Sequence, residues 1–331
     1  MAFGNTYDTT SPGSGVGNRE DLSDVVSILE PEQTPVYSLL PKETATATNP
    51  EWTMDNLKDP STGAGGVSEG ADVTAFSDQH ENKARVFNYV QKFQDTWMVS
   101  DIQNAVNSAG GGNATSVASA KEKAMRNVKR FVEYALNSDN DRQAESGAGA
   151  PYKLRGLGDW IDSAGPSDVP ADYRTPADSI DATGASITEA NFNDVIRSIF
   201  VKSGEVSGLT LFADSKLRQQ ISNFTRLDVS ATGQRYQVNE EASSKQITFS
   251  VNVFDSDFGF VSVVNSNPEC SPAGTSDADR GYILNMNYVA IASLIGMSSY
   301  ELEDQGGGQR GYVKCVETLK MRHPGAHGKI T

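Results

Sequence analysis

Between Ala84 and Trp97 the chain reads as one extended stretch. On the two-residue period of a strand, Phe87, Tyr89, Phe93 and Trp97 fall on a common face. Strands in compact domains average about 5–6 residues, so this length predicts a long ribbon. Its partner strand begins near Thr48, where Trp52 and Met54 alternate with polar residues, and the turn chemistry of Ser61-Thr62-Gly63-Ala64-Gly65-Gly66 marks the tip. Ser100 then caps a short helix, Asp101 to Asn107, which Gly110-Gly111-Gly112 stops. A long amphipathic helix runs from about Ser116 to Gln143. Val117, Ala120, Ala124, Val128, Phe131, Ala135 and Leu136 recur in it at three- and four-residue spacing, and Ser119 with Glu122 forms a capping box if the helix starts there. At 1.5 Å per residue it is a spine of roughly 40 Å. The ribbon and the spine carry more apolar face than the chain itself covers, so neighbouring copies are expected to cover it and the protein to be a self-assembling structural one.

Ahead of the ribbon, residues 1–17 are rich in Gly, Ser, Thr and Asn and flexible when alone. A terminus of this kind is ordered only where something ties it down, so it is expected to lie across a partner. Asn18 to Leu29 reads as a short helix with Leu22, Val25, Val26 and Leu29 on one side. Pro31 ends it, and Pro35 and Pro41 keep the chain beyond it extended, which makes the segment an arm. Behind the spine lies a Pro- and Asp-rich connector, about Gly147 to Gly184, anchored by Tyr152 and Trp160. A second unit begins near Ile187. Thr188 caps a helix bearing Phe192, Val195, Ile196, Ile199 and Phe200, a buried strand spans Leu209 to Ala213, and an Asp214-capped helix carries Leu217, Ile221 and Phe224. Strands at Ile247–Phe254, Phe258–Val264 and Tyr282–Asn285 complete an α+β unit. Tyr288–Leu294 and Gly311–Met321 are strand-like and parted by a glycine-rich turn; no internal repeat is present.

Composition narrows the function. At 331 residues there is room for about two compact units, and a net charge of −15 argues against a nucleic-acid reader, which needs a basic stripe. The densest cations (Lys121, Lys123, Arg126, Lys129, Arg130) lie along the spine and read as a solvated helix face. There is no secretory signal, and the longest mainly apolar run, Tyr288 to Met297, is far short of the ~20 residues that span a bilayer. Cys270 and Cys315 are isolated and read as reduced thiols in a cytosolic compartment.

Short matches to chemical motifs fail in context. Asp257-Phe258-Gly259 has no kinase catalytic loop beside it and reads as a hairpin turn. Gly13-Ser14-Gly15-Val16-Gly17 has no preceding strand, and Gly325-Ala326-His327-Gly328-Lys329 lacks the gap of a phosphate loop. Asp139-Asn140-Asp141 lacks the glycine and closing acid of a calcium loop, and Pro324 forbids the helix that would aim His323 and His327 at one metal. No enzyme, cofactor or metal is expected.

The segments taken in order resemble the major capsid proteins of tailed double-stranded-DNA bacteriophages with the Hong Kong 97-like fold. The resemblance is to the branch whose arm reads as Arg19-Glu20-Asp21-Leu22-Ser23-Asp24, followed here by Thr34-Pro35. It continues through Arg85 to Ser100 with Asn88-Tyr89 and Gln91, then Asp101-Ile102-Gln103, Asn127 to Leu136, and Glu317-Thr318-Leu319-Lys320-Met321. It implies an N-arm over 1–47, an extended β-ribbon loop over 48–95 and a peripheral domain with the spine helix over 96–186. An axial domain over 187–290 and return strands of the peripheral domain over 291–331 would complete the fold. The implied role is a virion shell assembled in the host cytoplasm from pentamers and hexamers around DNA that is held only non-specifically. Implied partners are further copies of the chain, a portal, a decoration protein and a separate scaffolding protein, because too little chain precedes the arm to hold a scaffolding segment. No membrane is implied.

Expected inter-subunit contacts are Leu22, Val25 and Leu29 on the arm and Trp52, Phe87, Tyr89, Phe93 and Trp97 on the ribbon; for Phe93 and Trp97 the competing reading is plain core packing on the spine. Some relatives link a ribbon lysine to an asparagine of another subunit. Lys58 and Lys83 have no matching acid and asparagine marked in the sequence, and read as solvated. An encapsulin-like shell of cellular origin is the alternative, and a hydrolase with an unrecognised site the more distant one.

Overall fold

Strands β6 (Leu209–Ala213) and β11 (Gly281–Asn285) are apolar at most positions, the pattern of strands covered on both faces. They lie at the centre of a six-stranded mixed sheet of order β5-β14-β11-β6-β10-β9, with β5 at Ile180–Asp181, β9 at Val253–Ser256, β10 at Gly259–Asn265 and β14 at Gly328–Ile330. One face carries Leu209, Leu211, Val261, Val263 and Ile283 against helices α5 (Glu189–Ser203) and α6 (Ser215–Asn223). The opposite face turns Phe212, Tyr282 and Leu284 into a second hydrophobic core. The sheet therefore joins the two cores. The chain is seen in a computed structural model that describes residues 33–331, except for 63, 75, 77, 106–112, 148, 166, 184–185, 205–206, 225, 230–233, 238–250 and 271–279.

The other core is built on a four-stranded sheet of order β1-β12-β13-β4, with β1 at Lys42–Thr44, β4 at Gln91–Val99, β12 at Val289–Leu302 and β13 at Gln309–Met321. Helix α3 (Asn113–Leu136) lies across it through Ala124, Val128, Val132 and Leu136. Phe93 and Trp97 of β4 are buried beneath the helix, worth roughly 1.5–3 kcal/mol for each ring kept from water. Trp97 pairs in register with Gly311 of β13, and a Cβ there would meet the indole ring at 2.5 Å and Tyr300 O at 2.3 Å. The register thus requires glycine at 311.

A two-stranded ribbon, β2 (Glu51–Met54) and β3 (Ala84–Phe87), stands beside this core, and the described residues between 55 and 83 form its far end. Strands β7 (Arg226–Val229) and β8 (Gln234–Gln237) make a second hairpin.

Several expectations from the sequence are modified. The stretch 84–97 is two strands, because Asn88 turns its side chain inward: its Oδ1 accepts from Tyr89 N and Arg155 N, and its Nδ2 donates to Leu319 O at 2.8 Å. Across that break the buried parity flips. Ala84 and Val86 face inward in β3, whereas Phe93, Trp97 and Val99 do so in β4, so Phe87 does not share the face of Phe93. The ribbon therefore closes at Phe87, and β4 belongs to the larger sheet.

The spine ends at Leu136, where Ser138 Oγ bonds back to Ala135 O and the chain packs against Gly156, whose missing Cβ leaves room for Ser138 O. Pro35 opens a short helix, α1 (Pro35–Leu39), rather than extended chain, since proline fits a first helical turn. Of the last residues, β14 leaves the four-stranded sheet and pairs with β11. The expected strand at 247–254 is described only from 251, and β9 begins at Val253. Asp257 and Phe258 form the turn between β9 and β10, with Gly259 at φ +146°. The end of the short helix near Asn107 lies outside the described residues; Ser100 Oγ does cap its start, α2 (Asp101–Ala105), by accepting from Gln103 N.

Candidate assembly surfaces

The ribbon is apolar in two places with opposite fates. At its root the inward side chains are Trp52, Met54, Ala84 and Val86, all buried on the body of the same chain. Trp52 donates its indole N–H to Met321 O at 2.8 Å and packs at 5.8 Å from the ring of Trp160, the last residue of the short helix α4 (Leu157–Trp160). The strand pairing ends at Met54 and Ala84, and beyond Asn56, beside His323, and Asn82, whose carbonyl accepts from the Tyr173 hydroxyl, the ribbon leaves that support. There Leu57 is 98% exposed, Phe76 91%, and Val67 and Val73 are nearly as open. The acids Asp55, Asp59, Glu69, Asp72, Asp78 and Glu81 outnumber Lys58 and Lys83 over the same stretch. Too polar to make its own core, the tip nonetheless holds large apolar side chains in water.

The root is fastened by a cation cluster. Arg155, 2% exposed, donates to Asp141 at 2.6 and 2.9 Å and to Asp168 at 2.8 Å, lies 2.9 Å from Asp159, and stacks its guanidinium 4.7 Å over Trp160. Arg142 reaches Asp168 and the Phe87 carbonyl, both at 2.7 Å, and covers the Phe87 ring. Burial alone would raise the Asp168 carboxyl, but the bond and charge of Arg155, with Arg142, outweigh it and hold its pKa low. At Asp159 burial wins over Arg155 and the pKa rises. These residues consume one another's charge and hold the ribbon strands to the connector. A cleft of about 830 Å³ separates the ribbon from the body, with Asp55, Asn56 and Lys58 on one wall and Lys202, Tyr288 and His323 on the other.

Further apolar side chains face outward elsewhere. Met125, Phe131 and Tyr134 lie on the free side of α3 with Lys123 and Lys129. Val201, Val253 and Phe260 lie on the outside of the six-stranded sheet and α5. Among the described residues, no His, Cys, Asp and Glu group could hold a metal. Both cysteines are buried and free, their thiols pushed up to about 12 by burial. No helix is long and apolar enough to cross a membrane, among the residues described.

The residues expected at interfaces divide three ways. Leu22, Val25 and Leu29 lie outside the described residues. Trp52, Phe93 and Trp97 sit inside their own chain, because β2 and β4 turn those positions onto the body. Phe87 and Tyr89 are half-buried at the root, edge to face at 5.4 Å, with Tyr152 beside Tyr89. Leu57, Val67, Val73 and Phe76 are not among the contacts expected from sequence. Their signal is a lone apolar residue recurring in a stretch of Gly, Ser and Asp, which periodicity does not detect.

A long helix laid on a sheet, a second sheet-and-helix unit, and a projecting ribbon are together the Hong Kong 97-like capsid fold. Among solved structures, the capsid of a native GTA particle matches with a TM-score of 0.61, covering 97% of both chains at 11% identity. That of Mycobacterium phage Bobi matches with a TM-score of 0.59, covering 96% of both at 10% identity. An encapsulin from Synechococcus elongatus PCC 7942 shares the fold with a TM-score of 0.54 at 10% identity, covering 96% of this chain and 92% of that one. The sequence model of the SU10 major capsid protein family matches residues 3–331, and the chain belongs to that family. It is a structural subunit of a capsid shell, a virion component that assembles with its own kind, and not an enzyme. No curated protein matches it.

Proposed function

We propose that identical copies form pentamers and hexamers that tile an icosahedral shell around double-stranded DNA. Ring-closing heterologous contacts generate the capsomers. The observation that carries this reading is the ribbon's far end, with Leu57, Val67, Val73 and Phe76 exposed and, among the described residues, no surface of their own chain beneath them. In an assembly they lie on the next subunit. Residues before 48 act as an arm over adjacent subunits. The four-stranded sheet and spine form the peripheral domain, and the six-stranded sheet with α5 and α6 the axial domain around the symmetry axes. Arm, ribbon and axial unit engage one neighbour together, so weak contacts sum through effective concentration. Phe87 and Tyr89 serve at the edge of this contact, while Leu22, Val25 and Leu29 serve along the arm. A separate scaffolding protein, a portal and a decoration protein are its partners in the host cytoplasm, and the net charge of −15 keeps DNA contact non-specific. An encapsulin-like cage is the second reading, favoured by the shared fold with the Synechococcus elongatus shell.

Light scattering and negative-stain microscopy of the recombinant protein test the proposal, alone and with scaffold supplied. Capsomers or closed shells are expected, and Phe76→Asp should abolish them while leaving the subunit's unfolding midpoint unchanged. A wild type that stays monomeric in both conditions, or a Phe76→Asp protein that assembles normally, overturns it.

A further inference from the structure

Helix α3 covers one face of the four-stranded sheet. Alternation along β4 and β13 puts Phe93, Trp97, Val313 and Cys315 beneath the helix and turns Lys92, Met98, Arg310, Tyr312 and Lys314 to the other side. Strand pairing sets these in rows: Arg310 lies between Leu302 and Met98, Tyr312 between Tyr300 and Thr96, and Lys314 between Ser298 and Gln94. In a chain of net charge −15, three cations thus share a surface whose rows hold no acid. Lys314 carries its ammonium 4.6 Å from the centre of the Tyr300 ring, which stacks on Tyr312 at 5.3 Å. Among the described residues neither Lys314 nor Lys92 pairs with a carboxylate. Met98 is 82% exposed, and Lys92, Gln94 and Thr96 are open as well, so no described part of the chain covers this face.

We propose that this face is the seat for the ribbon tip of a second copy, resting on the reading that the tip bears on the next subunit. Lys92, Arg310 and Lys314 meet the tip's carboxylates, and Met98, Tyr300 and Tyr312 meet its apolar side chains.

The two surfaces are complementary in charge and in polarity. Residues 55–83 carry six acids against Lys58 and Lys83, around the exposed Leu57, Val67, Val73 and Phe76. Asp59 and Asp78 are bonded within the tip to the Ser61 and His80 amides. Glu69 and Asp72 are exposed beside Val67 and Val73 and unpaired among the described residues, so their charge is available to a neighbour. Because the tip is open in the subunit, it does not lie on its own sheet, and the copy that receives it is another one. Three strands and seven residues make a seat of roughly 10 by 20 Å, wide enough for a two-stranded ribbon. A tip on a face joins two different surfaces, and each copy keeps one of each for its neighbours, as a closing ring requires.

The spine's free side is the competing basic surface, with Lys123 and Lys129 beside Met125. There Arg126 is already paired with Glu122, and the cleft at Arg126 and Lys129 is lined by Gln33 and Thr34. The chain before 33 departs from that point, next to α1, whose Val36 and Tyr37 amides donate to Glu133 of the spine. That side belongs to the arm, which leaves the opposite face to the ribbon.

Charge reversal in the full chain tests the seat, by light scattering under the low-salt conditions in which the wild type assembles, scaffold included. Lys92→Glu with Lys314→Glu, or Glu69→Lys with Asp72→Lys, should each raise the protein concentration needed for assembly by about tenfold or more. Combining all four restores opposite charges at every contact and should bring that concentration back to within about threefold of wild type. Where the Lys314 change unfolds the subunit, Lys92→Glu, Asp72→Lys and their combination decide instead. A face variant that assembles like the wild type, or a combined variant no better than its parents, overturns the seat. Failure of the ribbon reading looks different. If Phe76→Asp blocks assembly while the face variant assembles normally, the tip lies on another surface of its neighbour. A Phe76→Asp protein that assembles normally, or a wild type that never assembles, overturns both.

Discussion

Replacing Arg155 by Met removes the cation that Asp141, Asp159 and Asp168 share, leaving Arg142 on Asp168 alone, while keeping an unbranched stem against Trp160. The consequence can be sized from burial. Breaking a fully buried pair costs about 3–5 kcal/mol, since the surviving charge has lost its partner. Here the guanidinium is buried, but Asp159 and Asp168 each keep 25% side-chain exposure and Asp141 keeps 65%, so water relieves part of the cost. The expected loss therefore lies at the lower end, about 3 kcal/mol. Asp159, already raised by burial, is the carboxyl expected to take up a proton, and it does so at higher pH once Arg155 is gone. Urea unfolding of the unassembled subunit measures the loss as a shift in midpoint at unchanged slope. Adding Asp159→Asn removes the half-buried carboxyl that Arg155 pairs and should recover about 1 kcal/mol, a coupling visible in the double-mutant cycle. A loss below about 1 kcal/mol, or no recovery in the double variant, would refute the argument that this cluster is what fastens the ribbon root.

Two further outcomes concern buried groups in the same structure. Gly311→Ala should destabilise the subunit by about 1–3 kcal/mol, because the new methyl must displace the Trp97 ring or part β12 from β13; near-ultraviolet dichroism should report the indole's shift, and an unchanged spectrum and midpoint would count against the register. His327, wholly buried and accepting Asn285 N–H at Nδ1 at 3.1 Å, is pushed down to about 3 by burial. The unfolded chain takes up its proton below about 6.5 and the folded one does not, so this stability is present above 6.5 and lost as pH falls towards 3, up to about 5 kcal/mol in all. His327→Leu should lose this slope in urea titrations between about pH 5 and 7; a variant with the wild-type pH profile would contradict the assignment.

What the sequence disclosed and what it hid differ by the kind of signal each residue carries. The spine, α5 and the central strands are legible because their apolar residues repeat with a helix or strand period, and because Thr188 and Gly204 punctuate α5: Thr188 Oγ1 accepts from Asn191 N at 3.2 Å and Gly204 takes φ +69°. The 84–97 stretch misleads because the inward side chain of Asn88 changes the parity, and a polar residue that bonds to the distant Arg155 and Leu319 leaves no periodic trace. The same holds for Glu133 and His327, which look like surface residues until the segments they meet, 96 and 42 positions away, are brought beside them.

Aromatic content is a poor guide to the candidate assembly surface for a related reason. Burial favours large rings wherever a body lies beneath them, so Trp52, Phe93 and Trp97 are taken into the chain's own cores. What remains for a neighbour is whatever the chain cannot reach, and reach is a property of the ribbon's departure point beyond Asn56 and Asn82 rather than of residue type. Phe76 and Leu57 are exposed because the acids and glycines around them forbid a local core and the body ends before them. A subunit that folded to bury them would leave its ribbon lying on itself with nothing to offer the next copy. On the proposed reading, assembly in this chain depends on apolar side chains placed where folding alone does not cover them.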